Sequence, residues 1–181
     1  MNKSKLRNKI LRLRKINANK SSKINSENFY SFLKIHKYNL KNIGGYYPFN
    51  HEIDDLEILE LLEKKNFKIS LPIIKKKKQM NFFKWSNNDP LKINEYGIPE
   101  PISSKIFYPD ILLVPLVGYD KYLNRLGYGG GFYENYIKKN EKIKKVIKIG
   151  LAFSCQQLKS IPINQYDKKL DFIITERDII R

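Results

Sequence analysis

The stretch Asn124-Arg125-Leu126-Gly127-Tyr128-Gly129-Gly130-Gly131-Phe132-Tyr133-Glu134-Asn135-Tyr136 gathers residue types suited to holding an anion. Closely spaced glycines reach φ > 0 without steric penalty, so successive backbone N–H groups can turn toward one point. A helix predicted from about Phe132 to Lys139 adds its N-terminal partial positive charge. Arg125 adds a forked donor that matches phosphate oxygens. The apolar run Ile111-Leu112-Leu113-Val114-Pro115 comes before the loop and reads as a buried strand. Strand, glycine loop and helix start are the parts of a phosphate cradle, and they point to a nucleotide-using enzyme.

Other reactive side chains are few. The chain has two histidines, His36 and His51, and one cysteine, Cys155. That inventory makes a tetrahedral zinc site improbable, and no Ser–His or Cys–His set is evident. Cys155 follows a predicted strand and reads as packed rather than reactive. A lone cysteine cannot form an internal disulfide, which suits a reducing cytosol.

The elements that must position the glycine loop are legible as an alternation of strands and helices. Leu6, Ile10 and Leu13 recur at helical spacing in residues 3–16, predicting a basic amphipathic helix. Phe29, Phe32 and Leu33 mark a second helix over Ser26–His36, and Leu56, Leu59 and Leu62 a third over Ile53–Glu63. Strands are predicted at Phe67–Leu71, Met80–Lys84, Asp110–Val114, Val146–Ala152 and Phe172–Thr175. From Trp85 to Tyr108 the proline- and glycine-punctuated sequence predicts a long loop, and so long a loop is more often functional than idle. The expected fold is α/β, a three-layer α/β/α sandwich with a largely parallel sheet. With 181 residues, no repeats and no linker, residues 1–181 are expected to form a single domain.

A net charge of +17 would ordinarily suggest nucleic acid or an anionic membrane. The lysines are nevertheless spread along the whole chain amid abundant asparagine and isoleucine, so no dedicated nucleic-acid surface is expected. Lys75-Lys76-Lys77-Lys78 reads as a solvated turn between strands; Arg14, Lys15 and Lys20 could meet an anionic tail such as polyglutamate, but nothing distinguishes them from ordinary solvated charges. No apolar run approaches the roughly 18–20 residues of a membrane span. The basic N-terminus lacks the apolar segment of a secretory signal, so a cytoplasmic protein is expected.

Pro115-Leu116-Val117-Gly118-Tyr119-Asp120 followed by Asn124-Arg125-Leu126-Gly127-Tyr128-Gly129-Gly130-Gly131-Phe132-Tyr133 closely resembles the signature of the 5-formyltetrahydrofolate cyclo-ligase, or methenyltetrahydrofolate synthetase, family. The resemblance runs from residue 3 to about 176. It includes Lys3-Ser4-Lys5-Leu6-Arg7, Tyr46-Tyr47-Pro48-Phe49-Asn50-His51-Glu52-Ile53-Asp54, Gly97-Ile98-Pro99-Glu100-Pro101 and Tyr166-Asp167-Lys168-Lys169-Leu170-Asp171.

The resemblance implies ATP- and Mg²⁺-dependent cyclisation of 5-formyltetrahydrofolate to 5,10-methenyltetrahydrofolate, through a phosphorylated formyl group, by a monomer. It also implies a fold like that of the ribose-phosphate isomerase and coenzyme A transferase group. Carried over residue by residue, Lys3, Arg7 and Arg125 meet ATP phosphates, with Lys3 and Arg125 catalytic. Leu126, Gly127, Tyr128, Gly129, Gly130, Gly131, Phe132 and Tyr133 form the nucleotide loop. Tyr47 and Glu52 bind the folate together with Tyr128, Phe132 and the three glycines between them. Glu134 and Asp167 hold the metal. The i, i+4 spacing of Lys3 and Arg7 puts both on one helix face.

Two readings stay open. Trp85 belongs to the core or to the folate wall, and Tyr128 and Phe132 pack on the folate or merely cover the loop. The family usually carries aspartate where this chain has Glu134. Glutamate keeps a hard oxygen donor but reaches one methylene further, and magnesium tolerates little departure from octahedral geometry.

Overall fold

The computed structural model describes residues 2–17, 23–36, 40–76 and 78–181; Lys20 and Lys77 lie outside them. Helix α1 (Lys3–Asn17) and helix α2 (Ser26–Ile35) come first, then strand β1 (Asn42–Gly44) and helix α3 (Leu56–Lys64). The Asn25 side chain caps α2 by accepting the Asn28 N–H at 2.9 Å. Strands β2 (Lys68–Lys75) and β3 (Gln79–Lys84) form an antiparallel hairpin with Ile74 opposite Met80 and Lys75 opposite Gln79. Strand β2 therefore outruns the predicted Phe67–Leu71, because the lysine run closes its turn.

The segment predicted as a long loop is not irregular. It holds β4 (Leu91–Ile93), β5 (Pro99–Pro101) and β6 (Ile106–Phe107), with β4 and β5 paired as a hairpin. Asn94 Oδ1 accepts from the Tyr96 and Ile98 N–H groups at 2.9 and 3.1 Å, and Gly97 takes φ 75°. Side-chain acceptance of nearby backbone donors makes this turn, which hydrophobic periodicity does not register.

Beyond it lie β7 (Ile111–Pro115), β8 (Gly118–Asp120), β9 (Arg125–Leu126), helix α4 (Phe132–Asn140), β10 (Ile147–Leu151), β11 (Gln157–Leu158), β12 (Phe172–Ile174) and β13 (Ile179–Ile180). The main sheet runs β13-β12-β10-β7-β1-β2-β3-β6. Its centre, β12-β10-β7-β1-β2, is parallel throughout, and the edges β13, β3 and β6 are antiparallel. A mostly parallel α/β sheet is thus what the alternation predicted.

Every residue of β7 is buried, as befits a parallel strand covered on both faces. The period of two divides them. Ile111 and Leu113 join the cluster that includes Phe29 and Phe32 of α2 and Ile58, Leu59 and Leu62 of α3. Leu112 and Val114 join the opposite cluster with Tyr136 and Ile137 of α4. Each such apolar side chain contributes about 1.5–3 kcal/mol on burial. Trp85, at 4 % exposure, belongs to the first cluster and donates Nε1–H to the Asp89 carbonyl at 3.3 Å, so it is a core residue.

Helix α1 stands apart. Its Leu6 and Ile10 pack with Val117, Leu126 and Ile161 in a smaller third cluster beside the sheet β11-β8-β9. No helix among the described residues is long and apolar enough to cross a membrane.

Candidate functional site

The strand order reverses between β1 and β7. From β1 the chain steps outward to β2, and from β7 it steps the other way to β10 and β12. Crevices at the carboxyl ends of such strands are where open α/β sheets take ligands. Here a cavity of about 260 Å³ opens at that point, reached by Tyr46 and Tyr47 just after β1 and by Pro115 at the end of β7.

The cavity brings together most of the expected site. Tyr47, Glu52, Arg125, Gly127, Tyr128, Gly129, Gly130, Gly131, Phe132, Tyr133 and Glu134 all line it. Four expected residues are not on its wall. The Leu126 side chain packs against α1, while Lys3, Arg7 and Asp167 stand outside the cavity. Arg7 nevertheless meets the loop, donating Nε–H to the Gly127 carbonyl at 2.7 Å. Its guanidinium lies 3.3–3.4 Å from where a Cβ on Gly129 would sit.

The glycines bend the chain as their number suggested. Gly129 takes φ 99°, and Gly131 takes φ 74° as the residue capping α4. No side chain caps that helix, so its first N–H groups are available to an anion. The loop does not follow the apolar strand directly, as the sequence suggested. Strand β9, paired antiparallel with β8, intervenes and carries Arg125.

Arg125 is 8 % exposed. It donates Nη1–H to the Pro115 carbonyl at 3.0 Å and Nη2–H to Glu134 Oε1 at 2.6 Å, with its guanidinium 5.1 Å from the Tyr133 ring centroid. Burial opposes the charge on Glu134, but the Arg125 charge and hydrogen bond outweigh it and hold the carboxyl below its usual range. Lys3 Nζ reaches Asp167 Oδ2 at 2.5 Å, with both side chains 22 % exposed. Each expected metal carboxylate therefore holds one expected phosphate-binding cation.

Also on the lining, the Tyr46 hydroxyl donates to the Ile53 carbonyl at 2.7 Å, fixing the segment around Glu52. Glu52 Oε2 accepts the Phe49 N–H at 2.9 Å. Burial pushes the Glu52 carboxyl up, and Tyr128, the Phe49 N–H, Arg14 and Arg125 pull it back. The Tyr128 phenol is raised by burial and then by the Glu52 charge. Burial, followed by Glu176, raises the Cys155 thiol, which disfavours its thiolate.

Sequence reasoning missed the roof of the cavity, formed by Asn94, Tyr96, Ile98 and Pro99 of the β4–β5 hairpin. Tyr96 meets the Phe132 ring edge-on, with centroids 6.4 Å apart. The aromatic punctuation of Tyr96-Gly97-Ile98-Pro99 was the available signal. Sequence reasoning also misjudged Arg14, which is 1 % exposed rather than solvated. It lies four residues beyond Ile10 and eight beyond Leu6, on the buried stripe of α1.

A crevice at the switch point of a mostly parallel sheet, lined by a glycine loop, an arginine and aromatic side chains, is the kind of ligand site that α/β enzymes build. The 5-formyltetrahydrofolate cyclo-ligase family model matches residues 1–176. The 5-formyltetrahydrofolate cyclo-ligase of Haemophilus influenzae is 36 % identical over 137 residues, covering 72 % of this chain and 73 % of that one. The protein of the same name from Escherichia coli is 29 % identical over 140 residues, 74 % of this chain and 76 % of its own. The NMR structure of Aquifex aeolicus 5,10-methenyltetrahydrofolate synthetase superposes with a TM-score of 0.80 at 27 % identity, covering 100 % of this chain and 93 % of that one. The chain belongs to the 5-formyltetrahydrofolate cyclo-ligase family, a family of enzymes.

Proposed function

We propose that this chain acts as a single-domain, monomeric, cytoplasmic enzyme. It converts 5-formyltetrahydrofolate to 5,10-methenyltetrahydrofolate, with ATP going to ADP and phosphate. The observation that carries the reading is one cavity lined both by the glycine loop with Arg125 and by Tyr47 with Glu52. In sheet arrangement we place it with the ribose-phosphate isomerase and coenzyme A transferase group.

The chemistry explains these residue types. A formyl oxygen is a poor leaving group. Attack of that oxygen on the γ-phosphorus, with ADP departing, turns it into a phosphate ester; nitrogen 10 then closes on the formyl carbon and phosphate leaves. No protein nucleophile is required, and the residues work by positioning and charge stabilisation. Arg125, Lys3 and Arg7 neutralise phosphate oxygens while the glycine-loop N–H groups orient them. Glu52 accepts the 2-amino and adjacent N–H donors of the pterin edge on its two oxygens. Tyr47, Tyr128 and Phe132 enclose the ring and exclude water.

The residues present fit a magnesium ion brought in with ATP. Glu134 and Asp167 each offer a hard carboxylate oxygen of the kind magnesium takes. Among the described residues no group of three or more potential ligands is gathered, so water and phosphate would have to complete the ion's shell. Glu134 and Asp167 would hold it, and it would supply charge neutralisation at the phosphates.

Glu134→Asp is expected to retain or raise kcat, measured across a magnesium titration. The shorter side chain loosens the 2.6 Å pair with Arg125 and keeps an oxygen donor. A large loss of turnover would argue against a metal-supporting role for this position.

The functional test is absorbance at the methenyl-folate band with 5-formyltetrahydrofolate, Mg²⁺ and ATP, against reactions lacking ATP or protein. An ATP-dependent rise supports the reading. Folate binding without any rise would mark a site that kept its ligand and lost turnover. Absence of both would overturn the reading.

A further inference from the structure

Arg14 is a cation buried to 1 % exposure that, among the described residues, forms no salt bridge; its partners are two carbonyls and a phenol. Its Nε has no hydrogen-bond partner among the described residues. A buried charge is strongly unfavourable unless something answers it, and here the Glu52 charge acts on it without a direct ion pair. A leucine would simply continue the Leu6–Ile10 seam of α1. Packing therefore does not account for an arginine there, and its contacts do.

Those contacts join three separate segments. Nη1 donates to the Leu116 carbonyl at 3.2 Å, just past the end of β7. Nη2 donates to the Asn50 carbonyl at 2.5 Å and to the Tyr128 hydroxyl. The guanidinium also lies 5.5 Å from the Tyr128 ring centroid. Having accepted from Arg14, the Tyr128 hydroxyl has its own proton left for the Glu52 carboxylate beside it.

The Asn50 contact falls on a strained turn. Asn50 and His51 take φ 50° and 60°, two successive non-glycine residues in the left-handed region. Such conformations persist only where the surroundings hold them. This turn leads directly into Glu52.

We propose that Arg14 is a positioning residue for the folate side of the site: it clamps the Asn50–His51 turn to the Tyr128 hydroxyl so that Glu52 and Tyr128 face the cavity as one unit. The inference rests on the reading of Glu52 and Tyr128 as folate-binding. Arg14 itself does not line the cavity, so it acts through these neighbours.

The test compares the full-length wild type with Arg14→Met, Arg14→Lys, Tyr128→Phe and the Arg14→Lys/Tyr128→Phe double variant. Kd for 5-formyltetrahydrofolate is measured by calorimetry, and KM is measured separately for folate and ATP. Loss of a charged hydrogen bond predicts about a tenfold or greater weakening toward the folate in Arg14→Met, with ATP KM little changed. Arg14→Lys regains part of that loss. Tyr128→Phe weakens folate binding in the same direction, and the double variant loses little more than its worse parent, because both changes break one row of bonds.

Unchanged folate Kd in the Arg14 variants would overturn the inference while leaving the functional reading intact. Equal losses toward ATP and folate alongside a lowered Tm would show a merely structural arginine, and strictly additive losses would show that Arg14 and Tyr128 act separately. A wild type that neither binds nor converts the folate would overturn the functional reading and this inference with it. Should Arg14→Met fail to fold, Arg14→Lys and Tyr128→Phe carry the same comparison.

Discussion

Arg125→Met is expected to lower kcat by about a thousandfold and to destabilise the protein by about 3 kcal/mol. Both effects follow from its position at the end of β9. The guanidinium reaches the Pro115 carbonyl behind it and Glu134 in front, so it ties β7 to the first turn of α4. In the proposed reaction it is also the most buried of the phosphate cations. Methionine fills a similar volume but leaves the Glu134 side chain, only 20 % exposed, without its partner.

That substitution carries a pH signature. In the wild type Arg125 holds the Glu134 carboxyl down, so the pair stabilises the fold above the ordinary carboxylate range and is lost as pH falls through the lowered value. In Arg125→Met the opposing effect, burial, acts with no guanidinium to outweigh it, and the folded-state value rises instead. A group raised on folding favours the native state at low pH and loses that benefit as pH increases. Thermal unfolding should therefore show a larger drop in Tm at pH 7.5 than at pH 5, with circular dichroism as the readout. A Tm deficit independent of pH would mean that Glu134 finds another partner.

Gly129→Ala is expected to raise the KM for ATP by about ten- to a hundredfold, with a smaller effect on the KM for folate. At φ 99° an alanine is strained by about 1–2 kcal/mol whatever surrounds it. Its methyl would also sit 3.3–3.4 Å from the Arg7 guanidinium, which must give way from the loop. Gly97→Ala separates the two causes. Gly97 has φ 75° with nothing within 4 Å of an added Cβ, so it carries strain without crowding a cation. Steady-state kinetics of the two variants side by side should show the ATP effect in Gly129→Ala alone; matching ATP losses would assign the effect to backbone strain.

What the sequence made legible tracks the physics of each signal. Ile111 to Pro115 announced a buried strand because a doubly covered strand must be apolar throughout, and Leu56, Leu59 and Leu62 announced a helix by their period. The glycine loop was legible because only glycine tolerates those backbone angles cheaply. Residues 85–108 were misjudged because their order comes from Asn94, whose side chain accepts two backbone donors. That device leaves no periodic trace. Arg14 was misjudged because type argued for solvent while spacing argued for burial, and spacing proved the better guide. The pairing of Glu134 with Arg125 joins residues nine apart through a bend at Gly131, beyond the reach of any local pattern.

The separate packing of α1 has a consequence for how the protein opens. Leu6 and Ile10 rest on Val117, Leu126 and Ile161, not in either of the two clusters that sandwich the main sheet. The helix can therefore lift away at a free-energy cost well below that of global unfolding, as a cooperative unit of its own. Lys3, Arg7 and Arg14 all ride on it. One local opening would thus withdraw Lys3 from Asp167, Arg7 from the Gly127 carbonyl and Arg14 from its three partners together while the sheet stays folded. By linkage, occupancy of the cavity suppresses that opening, so bound ligand protects the amide hydrogens of the first helix more than those of the central strands.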